Sequence, residues 1–262
     1  MTADDPTTTA APSIVDFDAQ VTGIAALGDP LRRALYRYVI TQAGPVNRDQ
    51  VAEGAGVARH VAKFHLDRLV DDGLLAVEYA RPPGRRGPGA GRPSKLYRRS
   101  SRELAVSLPQ RDYELAGRLL ARAITDAERD GVTVTNALAT AARNTGRALG
   151  DQARHQAGAR PSPAKLLTAA MSVLADRGYE PRSDGTGLTL VNCPFHGLAQ
   201  DHIDLVCGMN LQLLSGLIDA LGHPNLEAHL EPTPGLCCVR LRESDCRPPQ
   251  PTIHQPGIDK EE

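Results

Sequence analysis

Between Arg81 and Arg102 the chain carries eight basic residues, four glycines and four prolines, and no acid. Such a stretch has almost nothing apolar to bury, and its prolines remove backbone donors and restrict the residues before them. It can neither pack a core nor continue a helix, so it must be held at a surface by what flanks it. The flanking segments, Leu74–Tyr79 and Lys95–Arg98, read as strands. With the loop PPGRRGPGAGRPS between them, they predict a two-stranded hairpin with a basic tip.

The residues before the hairpin read as short helices. Val21, Ile24, Ala25 and Leu27 give a first apolar stripe. Asp29-Pro30 starts a second helix, Asp as N-cap and Pro in the first turn, and Leu31, Leu35, Tyr38 and Val39 follow at helical spacing. Gly44-Pro45 ends it. Asn47 with Gln50 three residues on forms a capping box for a very short helix. Gly54-Ala55-Gly56 turns the chain into a longer helix, Ala58 to Asp71, with Val61, His65, Leu66 and Leu69 expected on one inner face. Three helices followed by a basic hairpin predict a winged helix-turn-helix, whose second paired helix lies in a DNA major groove. Its first turns offer Arg59, His60 and Lys63, and Arg and Lys can donate to guanine O6 and N7. In the hairpin, Arg85, Arg86, Arg92 and Lys95 are candidates for phosphate contacts. The alternative is a solvated helix face on a protein–protein adaptor.

Charge distribution favours the DNA reading. The whole chain of 262 residues has a net charge of −1, but residues 31–102 hold 15 Lys and Arg against 6 Asp and Glu. A basic segment inside a near-neutral chain points to a local anionic partner. Other function classes fall away. No apolar run reaches the roughly 18 residues of a membrane span. The N-terminus MTADDPTTTAAPS lacks the basic and apolar parts of a secretory signal, so cytoplasm is expected. No C-x-x-C, phosphate-binding glycine loop or nucleophile elbow marks an enzyme, so no catalytic residue is assigned and a thiol oxidoreductase working through Cys193 or Cys207 is the least favoured reading.

After the hairpin, Tyr113–Asp130, Thr135–Ala157, Pro163–Arg177 and His202–Leu221 read as helices, and Gly187–Asn192, Leu226–Leu230 and Cys237–Arg242 as strands. The expected architecture is α+β. It runs as a disordered segment 1–15, a winged helix-turn-helix 16–102, linking and dimerisation helices 103–160, a small α+β sensor domain 161–242 and a disordered tail 243–262. Cys193, Cys207, Cys237 and Cys238 are the chemically interesting residues of the sensor part, since soft thiolates suit zinc or an iron–sulfur cluster. His196, three after Cys193, is a possible further ligand and His202 a weaker one. If Cys237 and Cys238 begin a strand, their side chains alternate, and only one of them easily faces the other thiols. Single cysteines are more often buried filler. Cys246 and the isolated His155, His223, His229 and His254 are set aside.

VARHVAKFHLDRLVDDGLL, followed by a basic loop ending in GRPSKLYR, resembles the winged-helix domain of bacterial ArsR/DeoR-type transcriptional regulators. Within these it is most similar to the iron–sulfur-dependent repressors of the Suf cluster-assembly operon. The resemblance implies a homodimeric repressor on double-stranded DNA, with a cluster held by Cys193, Cys207 and one of Cys237 and Cys238. The adjacent pair of cysteines departs from that family's pattern. Zinc in place of a cluster, or a small apolar effector with purely structural cysteines, are the alternatives.

Overall fold

The computed structural model describes residues 14–80, 93–185 and 187–243, which fall into two compact units dividing after Ser107. Arg85, Arg86, Arg92 and Cys246 lie outside the described residues, as do most of the segments expected to be disordered. Ile14 and Val15, counted with the disordered N-terminus, already belong to a helix.

The first unit contains helices α1 (Ile14–Ala26), α2 (Pro30–Ile40), α3 (Arg48–Gly54) and α4 (Arg59–Asp71), and strands β1 (Val46–Asn47), β2 (Leu75–Ala80) and β3 (Ser94–Arg99). The local signals act as expected. Asp29 accepts from the Arg32 amide at the start of α2, and Asn47 and Gln50 close a reciprocal capping box on α3. The strands form an antiparallel sheet in the order β1-β3-β2, with Val77 opposite Tyr97. Strand β1 is only two residues long and has no sequence signature; pairing with β3 makes it. Leu35, Val51, Leu66, Leu69 and Tyr97 are buried at the centre. Burying each such side chain is worth about 1.5–3 kcal/mol.

The second unit contains helices α5 (Tyr113–Asp130), α6 (Val134–Ala157), α7 (Pro163–Asp176), α8 (His196–Asp201) and α9 (Ile203–Leu221), and strands β4 (Pro181–Ser183), β5 (Gly187–Leu190), β6 (Leu226–Leu230) and β7 (Val239–Glu243). The antiparallel sheet runs β4-β5-β7-β6, and Leu241 lies between Leu188 and Ala228. Helices α5 and α6, expected to link two domains, bury Leu119, Leu138 and Leu149 in one core with Leu213 and Leu217 of α9. An amphipathic helix needs an apolar partner, and here the partner is α9 of the same unit.

Glycines set how close α6 and α9 come. A Cβ at Gly146 would lie 1.8 Å from the Leu213 carbonyl oxygen, and one at Gly216 would lie 2.1 Å from that of Arg143. The helices therefore touch backbone to backbone. Arg143 pins the exterior of this contact through Asp219 at 2.8 Å. By length and composition α9 could cross a membrane. Its burial of Val206, Leu213, Leu214 and Leu217 against neighbouring elements is the pattern of a core helix.

Candidate functional site

Two regions gather chemistry-bearing side chains, one in each unit. The first is the outer face of α4. Ala62, Leu66 and Leu69 are its buried stripe. The sequence placed Val61 there, but Val61 is only partly buried. Spacings of four and three residues from Ala62 to Leu66 to Leu69 keep one helical face, whereas the five from Val61 to Leu66 do not. Arg59, His60 and Lys63 all face solvent, as does Phe64, which the sequence reading passed over.

The cations on this face are internally paired. Arg59 reaches back across the Gly54–Gly56 turn and forks Asp49 through Nε and Nη2. The fork holds the Asp49 carboxyl below its usual range. Asp67, one turn beyond Lys63, takes Lys63 Nζ at 3.0 Å, Lys95 Nζ at 2.5 Å and the Tyr97 hydroxyl at 3.0 Å. Burial pushes Asp67 up, but those three donors outweigh it and its carboxyl stays below the usual value. Burial, reinforced by Asp67, drives the Tyr97 phenol well above its ordinary value. Asp67 thus ties α4 to strand β3 of the hairpin. These are weak locks. Exposed ion pairs are worth about 0–1 kcal/mol, so a phosphate can displace the carboxylates. Asp67 and Asp71 occupy the later turns of α4, which leaves the first two turns as the part compatible with a polyanion.

The second region is the thiol group of the second unit. Cys193 follows β5 in a turn, Cys207 lies on α9, and Cys237 and Cys238 precede β7. Their thiols influence one another in pairs, Cys193 with Cys237, Cys237 with Cys238, and Cys238 with Cys207. Strand β7 begins at Val239, so Cys237 and Cys238 precede it, Cys237 buried and Cys238 half-buried. The segment is held by the Cys237 amide on the Leu190 carbonyl at 2.9 Å and the Glu231 amide on the Cys238 carbonyl at 2.8 Å. His196 does not join the thiols. It is exposed on α8, with Nε2 at 3.4 Å from Gln200 Nε2, and His202 is exposed as well.

All four cysteines are free, and Cys193, Cys207 and Cys237 are buried. The hydrogen bond to Cys237, then burial, pushes the Cys193 thiol far up. Burial pushes Cys207 up against the opposing effect of Cys238. Cys237 is drawn down by Cys193, but its own bond to Cys238 and its burial prevail and lift it to about 11. With raised values, Cys193, Cys207 and Cys237 are neutral thiols at pH 7. Among the described residues no three or more His, Cys, Asp and Glu side chains already form a metal cage. By residue type the cysteines are soft donors of the kind a thiophilic metal or cluster takes.

Two polar arrangements support the thiols. Tyr179 donates to Asn210 Oδ1 at 2.6 Å, and Asn210 Nδ2 points at Cys237 Sγ at 3.3 Å. Asn210 is 0% exposed. Asn210→Leu would leave the buried Tyr179 hydroxyl unpaired and is expected to cost about 1–3 kcal/mol by denaturant titration, more than Tyr179→Phe. The second arrangement grips the Cys193 turn. Arg111 donates to Asn192 Oδ1 and, at 3.2 Å, to the Cys193 carbonyl, while the Asp112 amide donates to the Pro194 carbonyl at 3.1 Å. Asn192 Nδ2 returns a bond to the Gln110 carbonyl at 2.9 Å. Residues 110–112, the run-in to α5, are thereby fastened to the cysteine turn.

Residues 27–78 match the family of helix-turn-helix domains, which spans α2, α3, α4 and most of β2. Comparisons with curated proteins and with solved structures give no match. The match supports a helix-turn-helix domain over residues 27–78.

Proposed function

We propose that this chain is a cytoplasmic transcriptional repressor that binds double-stranded DNA as a homodimer, under the control of a metal centre held by its C-terminal cysteines. The observation that carries the DNA reading is the outer face of α4 in a helix-turn-helix domain. Arg59, His60 and Lys63 lie exposed on the first turns of the second helix, His60 opposite the buried Ala62, Leu66 and Leu69 and Arg59 and Lys63 at the edge of that stripe. The N-terminal residues of that helix are the ones that reach base edges in such domains. Arg85, Arg86 and Arg92 of the hairpin loop and Lys95 of β3 would contact phosphates. Two copies would read two half-sites about one helical turn apart.

The metal reading rests on the cysteine thiols. Cys193, Cys207, Cys237 and Cys238 would hold an iron–sulfur cluster, with a single zinc ion as the alternative. The bound group supplies a site whose occupancy responds to iron supply or oxidants. Its protein ligands do the rest. Ligation of Cys193 would bear on the turn that Arg111, Asn192 and Asp112 grip, and so on residues 110–112. A coupling of this kind is typically about 1–3 kcal/mol, or roughly 5–150-fold in DNA affinity.

The DNA reading is tested with the full chain on duplexes selected from a random pool. Lys63→Ala is expected to weaken the selected duplex more than random DNA. Asp67→Asn releases Lys63 and Lys95 and is expected to strengthen binding at low salt and steepen its salt dependence by about one to two phosphate contacts. If neither variant changes affinity or salt dependence, α4 is not the docking element.

A further inference from the structure

We infer that Phe64 is a base-reading residue, recognising the C5-methyl group of thymine in the major groove. The inference rests on the DNA-binding reading above and adds a specificity to it. The chain has three Phe and no Trp. Phe195 is fully buried and Phe17 partly so, yet Phe64 is 66% exposed in the middle of a well-packed unit. It sits one turn after His60 and beside Lys63, on the outer face of α4. A helical neighbour four residues on shares that face, so His60 and Phe64 approach a bound surface together. His65 packs edge-on against the Phe64 ring, with centroids 5.2 Å apart.

The surroundings select the occupant. Lys63 and Arg68 share the surface around the ring, and Lys63 is tied to Asp67, a carboxylate that a phosphate can replace. A protein partner's apolar patch would have to desolvate these cations together with Asp67. A duplex neutralises the cations as it brings its groove to the ring. Of the groups that base pairs display in the major groove, the thymine methyl is the apolar one, and Phe is among the side chains that contact it. The remaining readers divide by chemistry: Lys63 can address guanine O6 and N7, while Phe64 addresses thymine.

The test removes one methyl group and nothing else. Duplexes selected by the full chain are resynthesised with deoxyuridine in place of each thymine in turn, and affinities are measured by fluorescence anisotropy. Wild-type protein is expected to lose about fourfold at one thymine per half-site, the equivalent of one buried methyl group. Phe64→Ala should bind more weakly and no longer distinguish thymine from uracil there, while Phe64→Leu keeps part of the discrimination. The exposed position makes both variants tolerable to the fold, which thermal melting checks. Equal wild-type affinity for thymine and uracil at every position, or unchanged discrimination by Phe64→Ala, overturns the inference. If Lys63→Ala still weakens the same duplexes, the DNA reading survives that result. Failure of the wild-type chain to bind any duplex overturns both.

Discussion

A Gly146→Ala variant should destabilise the second unit by about 3 kcal/mol, the upper part of the usual range for overpacking. The added methyl carbon would stand 1.8 Å from a backbone oxygen of α9, which has no rotamer to yield. Relief requires α6 and α9 to move apart along their whole contact. In a unit of this size the loss corresponds to a melting temperature lower by roughly 10 °C. Gly117→Ala on α5 is the control, because a Cβ there meets nothing within 4 Å. Ala in an exposed helix interior favours the helix by about 0.5–1 kcal/mol over Gly, so this variant should be slightly more stable than the parent. Opposite signs for one chemical change separate close packing from helix propensity. Since α9 carries Cys207, Gly146→Ala should also disturb the thiol site.

Metal content should respond even more sharply to the cysteines. Protein purified without oxygen is expected to carry iron and sulfide with visible absorption, or one zinc ion per chain if the centre is zinc. Cys193→Ser and Cys237→Ser should lose it, because each removes a buried soft donor from the candidate set. His196→Ala should retain it, since His196 faces Gln200 on the surface. In the metal-free form, raised thiol values slow alkylation of Cys193 and Cys237 at neutral pH. Because the folded value of Cys237 lies above its ordinary 9.0, at about 11, the protonated thiol contributes stability that is complete below pH 9. That contribution declines as pH rises through about 11. Metal-free, colourless wild-type protein with full DNA affinity would remove the metal from the account and turn attention to a small apolar effector.

What could be read from the residues was mostly local. Asp29, Asn47 with Gln50, and Pro163 act within a turn of themselves, and the helices they start lie where their side chains place them. Helix α5 spans the residues its apolar spacing predicts. Strand β4 and helix α8 carry too few residues for a period to appear, and pairing and packing create them. The pairings on the α4 face were half visible. Lys63 and Asp67 are four apart on one helix, but Lys95 and Tyr97 reach the same carboxylate from about thirty residues away, through the hairpin. Cys237 and Cys238 were expected to begin the last strand, which instead starts two residues later, at Val239. Phe64 could have been noticed, since it falls off the Ala62, Leu66 and Leu69 stripe and has no inner neighbour to meet.

The most direct measurement is the salt dependence of duplex binding by the full chain, wild type against Arg59→Ala and Lys63→Ala. Each phosphate contact contributes a slope of about −0.9 to log K against log salt on B-form DNA. The account predicts a steep linear slope for wild-type protein, tight binding to a selected sequence, and loss of that preference in the α4 variants. Binding that is flat with salt, or a sequence preference unchanged when the α4 side chains are removed, would contradict it.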